Sequence, residues 1–272
     1  KWGVTYERLS KINPRLIMVR MPAFGLAGPY KNYRTWGNHM EALSGHPLIR
    51  AYPDLSPEYA AGGVPADAAG GVGAAFAFTL GLRYRRRTGK GLMIEAPTAE
   101  NFVPLLGEYV MDYTMNGRVR TQVGNEHWTN APHNTYRCQG EDRWCVISIF
   151  DDQQWAAFTK AIGAPGWATD ARFATNESRV QHQDELDGLI GTWTVQSTPH
   201  QVMDTLQAAG VPAGAVQTPK EKVDQDPQLR ARDFLPEIDH AELGRSKFEG
   251  QPMRLSKSPW ELQRPAPLLG EH

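Results

Sequence analysis

Asp67 is the residue whose type and setting point most directly to chemistry. It is the only charged residue between Ala60 and Leu82, in a run of small and apolar side chains that predicts a buried helix beginning near Asp67. The free amides and positive dipole end of such a helix would keep the carboxylate ionised. An ionised carboxylate there is a candidate for nucleophilic or proton-transfer chemistry, but Asp is also a common N-cap residue. The local pattern leaves both interpretations open.

The two cysteines offer a weaker case for chemistry. Cys138 and Cys145 flank a polar turn, and a disulfide across that predicted hairpin is geometrically feasible. Two cysteines in so long a chain indicate a reducing compartment rather than a secreted scaffold. A zinc site built from these thiols with His127 and His133 matches no paired-ligand spacing and is disfavoured.

Several common catalytic signatures are missing from the sequence. There is no Gly-x-Ser-x-Gly elbow, no His-Glu-x-x-His segment and no Walker loop. The run from Gly71 to Phe76 lacks the third glycine of a dinucleotide fingerprint and follows no strand. The segment from Arg87 to Gly91 resembles a phosphate loop only superficially, and Gly89 favours a helix terminus with Arg85 to Arg87 in its last turn.

Alternating elements around Asp67 predict an α/β domain. The order is a helix from Trp2 to Ile12, a strand from Leu16 to Met21 buried on both faces, a helix from Tyr33 to Leu43, the Asp67 helix, and a buried strand from Leu92 to Glu95. The Gly- and Pro-rich loop from Pro22 to Tyr30 follows the first strand, at the sheet edge where α/β folds bind ligands. Because a parallel sheet seldom starts with a helix and an interior strand, and Lys1 is not a start methionine, we expect preceding βα units to be missing.

The remaining sequence predicts a second, smaller domain. Residues 99 to 116 predict a helix leaving the first domain, followed by a hairpin with arms Asn134 to Cys138 and Trp144 to Ile149. Helices are predicted at residues 152–162, 184–194 and 199–209, then a strand at residues 214–217. The proline-rich last 55 residues predict an extended tail. The predicted boundaries are therefore 1–98 for the large domain, 99–123 for a linker helix, 124–218 for the small domain and 219–272 for the tail.

Composition and charge exclude some partners. The chain has 272 residues, 40% of them hydrophobic, and a formal net charge of −1. It can bury a sizeable core, and it lacks the clustered positive charge that nucleic acid or anionic membranes require. No apolar stretch reaches the roughly 18 residues that cross a bilayer. We expect a cytoplasmic protein without nucleic-acid or membrane partners.

An ordered set of motifs resembles the class III CoA-transferases, the family of formyl-CoA transferase and carnitine CoA-transferase. The motifs are Ile12–Ile17, Phe24–Tyr30, Ala42–Gly45, Asp67–Gly71, Arg87–Gly91, Gly124–Asn125, Ala209–Ala213, Asp226–Arg232 and Pro265–His272. The resemblance implies a Rossmann-like parallel-sheet large domain, incomplete here, a smaller α/β domain, and long linkers that interlock two subunits. It also implies a homodimer, or pairing with a chain that supplies the missing amino-terminal part.

The same resemblance assigns chemistry to Asp67. It implies that this carboxylate attacks an acyl-CoA and becomes an aspartyl-CoA thioester, from which CoA passes to a carboxylic acid. The small residues from Ala66 to Gly71 would leave room for the thioester, and the helix amides could steady an oxyanion. No tightly bound cofactor is expected, since the CoA thioester is a substrate. Lys31 and Arg34 are candidate contacts for CoA phosphates, and Gly124 and Asn125 match the family's active-site loop with a single glycine.

Two alternatives remain at the level of the sequence. The related α-methylacyl-CoA racemases place Gly-His-Asp where this chain has Thr35-Trp36-Gly37, so their proton-transferring histidine is replaced by Trp36. His39 could substitute for it, although a structural role is more typical of a helix histidine, and Trp128 could cover an acyl group or pack the small domain. The other alternative is a non-catalytic partner subunit or fragment.

Overall fold

A computed structural model describes residues 2–60 and 63–271 and divides the chain into two compact units. The first unit extends to Trp128 and the second begins at Thr129. The first contains the helices α1 (Tyr6–Ile12), α2 (Gly37–Leu43), α3 (His46–Arg50), α4 (Pro65–Thr88), α5 (Thr98–Phe102) and α6 (Gly107–Asn116), the strands β1 (Ile17–Arg20) and β2 (Leu92–Glu95), and 3₁₀ turns at Pro57–Tyr59 and Val103–Leu106. No helix in the described ranges combines the length and hydropathy that a bilayer-spanning segment needs.

Strands β1 and β2 form a parallel pair in the first unit. Ile17 lies opposite Leu92 and Arg20 opposite Glu95. The chain between them carries α2, α3 and α4, as the crossover of a parallel pair requires. The α/β prediction is confirmed at this level. The predictions that the first strand is buried on both faces and that the second is buried are wrong, because Arg20, Met93 and Glu95 are exposed.

Helix α4 begins and ends as the sequence predicts, but it is not buried. Gly89 terminates it in the left-handed region (φ 73°), after Arg85 to Arg87 in the last turn. One face of the helix is lined by small residues, including Gly70, Gly73 and Gly81, and carries the contacts to the rest of the unit. Val72, Phe76 and Leu80, spaced four residues apart along the helix, are 72%, 66% and 50% exposed. We call these three residues the α4 apolar stripe.

The small residues of α4 serve close packing. A Cβ on Gly70 would lie 2.8 Å from Thr98 Cγ2, and one on Gly81 would lie 3.1 Å from Ile17 Cγ2. Helix α5 and the two strands therefore approach the α4 backbone more closely than any side chain would permit. At the start of the helix, fully buried Ala66 joins Met40, Ala99, Phe102 and Leu106 in the core of the unit.

The helix predicted for residues 99 to 116 is divided into three segments. Helix α5 ends at Phe102, a 3₁₀ turn spans Val103–Leu106, and α6 follows. Pro104 lies in the 3₁₀ turn, where its missing N–H and fixed φ oppose a continuous α-helix.

The second unit contains the predicted hairpin and helices. It comprises β3 (His133–Arg137), β4 (Trp144–Ser148), α7 (Asp152–Ala161), 3₁₀ turns at Gly166–Thr169 and Ala171–Phe173, α8 (Asn176–Gln181), α9 (Gln183–Thr194), α10 (Pro199–Ala208), β5 (Ala213–Ala215), α11 (Pro219–Asp224), α12 (Pro227–Ala231), β6 (Glu237–His240) and β7 (Gly244–Lys247). Strand β4 pairs antiparallel with both β3 and β5. The tail predicted for residues 219–272 contains the short elements α11, α12 and the β6–β7 hairpin.

Polar side chains hold several elements of the second unit together. Fully buried Arg179 donates to the carbonyls of Ala131 (2.9 Å) and Phe173 (3.1 Å) and pairs with Asp152 at 2.8 Å. Cys138 and Cys145 are buried free thiols, and burial raises the pKa of each. The described residues contain no group of three or more metal-ligating side chains.

Candidate active site

Asp67 lies in the first turn of α4, as its third residue. The N-cap is Val64, followed by Pro65 and Ala66, so the interpretation of Asp67 as the N-cap is wrong. The Ala66 side chain is fully buried in the core, whereas Asp67 is exposed. One turn of helix therefore fixes the backbone of Asp67 in the core and presents its carboxylate at the surface.

The carboxylate of Asp67 faces the first residue of another helix. A Cβ added to Gly37, at the start of α2, would overlap with Asp67 Oδ2 and lie 2.9 Å from Val64 Cγ1. Within the described residues Asp67 forms no side-chain hydrogen bond and no ion pair. A carboxylate that is exposed and unpartnered keeps its lone pairs available for a substrate.

The first-turn amides of α4 already have acceptors. Pro65 has no N–H, the Ala66 N–H is donated to Glu41 Oε1 at 3.4 Å, and those of Asp67 and Ala68 are donated to the Val64 carbonyl at 3.1 and 3.3 Å. The expectation that these amides would steady an oxyanion is therefore wrong, because the structure uses them to start the helix.

Some of the small residues after Asp67 pack against α5, and others face open space. Gly70 and Gly73 face Thr98 and Asn101, where any Cβ would collide with them. A Cβ on Gly71 would have no other atom within 4 Å, and Ala68 is exposed. Room beside the carboxylate is thus provided by Ala68 and Gly71, while the other glycines bring α5 close.

Glu41 and His46 lie on the core side of Asp67. Glu41 is 4% exposed, and its Oε2 lies 3.6 Å from His46 Nδ1. Both residues line a cavity of about 420 Å³, together with Asn38, Arg50 and Gly63. Sequence reasoning missed Glu41, because its contact with Ala66 joins residues 25 positions apart.

The candidate phosphate contacts follow the loop after β1. Lys31 and Arg34 are exposed, and neither forms an ion pair within the described residues. Between them in the sequence, Tyr33 stacks on Tyr30 with 4.8 Å between the ring centroids. The same loop is fixed to the carboxyl end of β2 through the Leu26 N–H, which is donated to Glu95 Oε1 at 2.5 Å.

Gly124 and Asn125 form a turn that is attached to the segment after α3. Gly124 has φ 62°, and its N–H is donated to the Ala51 carbonyl at 3.2 Å. The Asn125 amide donates to the Tyr52 hydroxyl at 2.8 Å. The structure thus places this turn against the segment that follows α3, and it gives no contact between the described residues of the turn and Asp67.

The residues considered for proton transfer have structural partners or face solvent. Trp36 is exposed, and its N–H is donated to His39 Nδ1 at 3.0 Å, so His39 closes the first turn of α2. This is the structural role expected for His39. Trp128 lies beneath the Arg120 guanidinium, with 4.4 Å from Cζ to the ring centroid. That contact is within the first unit, and packing of Trp128 against the small domain stays a prediction.

Comparisons with known proteins show the family of this chain. Residues 1–272 match CoA-transferase family III. The chain is 34% identical to a succinyl-CoA–D-citramalate CoA-transferase of Chloroflexus aurantiacus, over all of this chain and 67% of that protein. It is 31% identical to an acetyl-CoA:oxalate CoA-transferase of Acetobacter aceti, over 99% of this chain and 67% of that protein.

A solved structure shows the same fold. The crystal structure of a CAIB/BAIF family protein from Brucella suis superposes with a TM-score of 0.87 at 30% identity, over 99% of this chain and 69% of that one. The chain belongs to CoA-transferase family III, a family of enzymes that use CoA thioesters as substrates.

Proposed function

We propose that this protein transfers coenzyme A from an acyl-CoA donor to a carboxylic acid through an aspartyl-CoA thioester on Asp67. The observation that carries the proposal is the Asp67 carboxylate itself, which is exposed and unpartnered within the described residues and sits on a helix turn fixed in the core. A carboxylate is a weak nucleophile, so a fixed near-attack geometry matters more for it than for stronger nucleophiles.

The proposed reaction begins with two displacements. An Asp67 oxygen attacks the acyl-CoA carbonyl, the carbon–sulfur bond breaks, and CoA leaves as a thiolate from a mixed anhydride. The thiolate then attacks the Asp67 carbonyl carbon of that anhydride. The donor acid departs as its carboxylate, and Asp67 carries CoA as a thioester.

The second half repeats these steps with the acceptor. The acceptor carboxylate attacks the thioester carbonyl and releases the CoA thiolate, again forming a mixed anhydride. The thiolate attacks the acceptor's carbonyl carbon, which forms the new acyl-CoA and frees Asp67. No net proton or electron is needed, so the site must chiefly orient the reactants and exclude water from the anhydride.

The substrate contacts belong to the same proposal. Lys31 and Arg34 are exposed cations without ion-pair partners among the described residues, which suits them to the phosphates of CoA. Gly124 and Asn125 are proposed as loop contacts near the thioester. The names of the relatives from C. aurantiacus and A. aceti refer to citramalate and oxalate, which supports a small carboxylic acid as acceptor.

We further propose a Rossmann-like large domain and an interlocked dimer, or an equivalent pairing with another chain. The α4 apolar stripe supports this, since three large apolar side chains one helical turn apart are costly to leave in water. Replacing Phe76 with Asp should shift the sedimentation profile towards a smaller species. An unchanged profile would count against a partner at this face.

The thioester is tested by trapping. The full chain in its native assembly is incubated with an acyl-CoA and then with hydroxylamine, and the peptide containing residue 67 is analysed by mass spectrometry. We expect a hydroxamate on Asp67, no hydroxamate in Asp67→Ala, and a loss of transfer activity on the order of 10³-fold or more in that variant. Asp54→Ala, at an exposed acid of the same unit, serves as the control.

Two outcomes would overturn the proposal. An active preparation with an unmodified residue 67 would exclude the aspartyl thioester. Exchange of the substrate α-proton in heavy water without an acid acceptor, and without CoA transfer, would indicate racemase chemistry instead.

A further inference from the structure

Two residues of α2 contact the start of α4, and both contacts involve the surroundings of Asp67. Gly37 faces the Asp67 carboxylate, and Glu41 accepts the N–H of Ala66, the residue directly before it. Residues four positions apart lie on the same face of a helix. One face of α2 therefore contacts both the backbone before Asp67 and the Asp67 carboxylate.

Helix α4 has no cap of its own. Its N-cap residue is Val64, which has no side-chain acceptor, and the next residue is Pro65. The first N–H of the helix is that of Ala66, and in most helices an N-cap side chain from the same segment would accept such a group. Here the acceptor comes from Glu41 on a different helix, at 3.4 Å.

The other oxygen of the Glu41 carboxylate lies near a histidine ring. Its Oε2 lies 3.6 Å from His46 Nδ1, and the His46 ring meets the core residue Phe102 edge to face at 5.3 Å. A carboxylate that is 4% exposed is costly to bury unless it has partners. The Ala66 N–H is the hydrogen-bond donor that the described residues provide, while His46 Nδ1 lies near the carboxylate without a hydrogen bond.

We propose that Glu41 is a positioning residue for Asp67, which acts by capping α4 from α2. The proposal rests on the nucleophilic role proposed for Asp67. Glu41 does not touch the reacting atoms. It fixes the backbone one residue before the nucleophile, so that the carboxylate is presented at one distance from Gly37 and from the bound thioester.

The test compares Glu41→Gln with Glu41→Met in the full chain. Glutamine keeps the Oε1 acceptor for the Ala66 N–H, and methionine keeps the volume but removes the acceptor. We expect the single-turnover rate of Asp67 thioester formation to fall about 100-fold in Glu41→Met, in keeping with the cost of misplacing a reacting group by about 1 Å. The rate in Glu41→Gln should remain within roughly threefold of wild type, since the neutral cap is retained.

The Michaelis constant separates positioning from general damage. We expect KM for the acyl-CoA to change little in either variant, because Glu41 is not a proposed substrate contact. Glu100→Gln, at an exposed acid on α5, controls for loss of a negative charge in the same unit. An unchanged thioester rate in Glu41→Met, or equal losses in the Gln and Met variants, would overturn the proposal.

Amide exchange tests the cap without relying on a variant that folds poorly. In the wild-type protein we expect the Ala66 N–H to be protected from hydrogen exchange, although it lies in the first turn of its helix. Fast exchange at Ala66 would exclude the cap. This measurement does not depend on catalysis, and the hydroxylamine trapping of wild-type Asp67 tests the nucleophile alone, so failure of either idea is recognised separately.

Discussion

Gly37 lies so close to Asp67 that a larger residue at position 37 would have to displace the carboxylate. A Cβ at position 37 would overlap with Asp67 Oδ2 in the observed arrangement. This position corresponds to the aspartate of the Gly-His-Asp segment that the racemases of this fold carry. An aspartate at position 37 would therefore require the Asp67 and Val64 side chains to move.

Gly37→Ala should lower the rate of CoA transfer, on the order of 100-fold, by displacing the Asp67 carboxylate. The variant should also lose about 1–3 kcal/mol of stability, because the methyl group meets Val64 as well. Steady-state kinetics and thermal unfolding measure the two effects. Gly107→Ala is the matched control, since Gly107 also begins a helix but has open space around it. Equal activity of the two variants would contradict the proposed contact.

Substitution of Gly70 and of its neighbour Gly71 by alanine should change the stability of the protein in opposite directions. In Gly70→Ala the new methyl group would collide with Thr98, and we expect a loss of about 1–3 kcal/mol. Gly71→Ala adds a methyl group in open space within a helix, where alanine is favoured by up to about 1 kcal/mol. Urea denaturation of both variants measures the difference. A Gly70→Ala variant as stable as Gly71→Ala would show that α5 does not lie this close.

Arg179→Met should destabilise the second unit by about 3 kcal/mol or more. The substitution leaves the buried carbonyls of Ala131 and Phe173 without their donor, and unsatisfied buried groups cost about 1–3 kcal/mol each. Asp152→Asn is the comparison, because Asp152 is 67% exposed and Asn retains an acceptor. We expect less than about 1 kcal/mol from that change. A similar loss in both variants would assign the stability to the ion pair instead.

Glu221 should make stability depend on pH in the acid range. Its hydrogen bonds with the Arg143 guanidinium lower the pKa of Glu221 from 4.5 to about 2. Since the folded-state pKa is depressed, the carboxylate stabilises the fold above pH 4.5, and this contribution is lost as the pH falls towards 2. Melting temperatures of wild type and Glu221→Gln should therefore differ most above pH 4.5 and converge on acidification. A difference that is constant over this range would refute the assignment.

Asp187 should make stability depend on pH in the opposite direction to Glu221. Burial raises its pKa, and the hydrogen bonds from Tyr136 and Asn134 only partly offset this. A raised folded-state pKa means that the stabilising contribution is present below the ordinary value of 3.8 and is lost as pH rises through the folded-state pKa. Relative to wild type, Asp187→Asn should therefore become more stable as the pH is raised from about 3 to about 7. A pH-independent difference would show that Asp187 titrates normally.

Local signals predicted much of the fold. Gly89 ends α4, Asp151 caps α7 by accepting the Gln154 N–H at 2.7 Å, and Thr198 with Gln201 forms a capping box at α10. These signals act within one turn of chain, so single residues determine them. The break between α5 and α6 was missed because the apolar pattern continues through Pro104.

The burial of α4 and the surroundings of Asp67 depend on contacts between residues that are far apart in the sequence. The small-residue run of α4 predicts a buried helix, yet among its residues only Ala66, Gly70 and Gly81 are buried, and the α4 apolar stripe is exposed. The sequence points to Asp67 as a candidate but could not identify Gly37, which faces its carboxylate, or Glu41, which accepts the N–H of the preceding residue, because both lie on a separate helix. The burial of Arg179 could not be predicted from the sequence either, since its carbonyl partners lie 6 and 48 positions away.

The adjacent residues Ala66 and Asp67 link core packing to catalytic rate, two properties that are usually measured separately. Ala66 belongs to the same buried cluster as Met40, Phe102 and Leu106, and a single peptide unit, about 3.8 Å from Cα to Cα, separates it from the proposed nucleophile. A change in side-chain volume at any of these core positions is transmitted directly to the carboxylate. The turnover rate of this protein should accordingly depend on the packing of its core. Natural substitutions in the core would then change the rate without changing any residue that contacts the substrate.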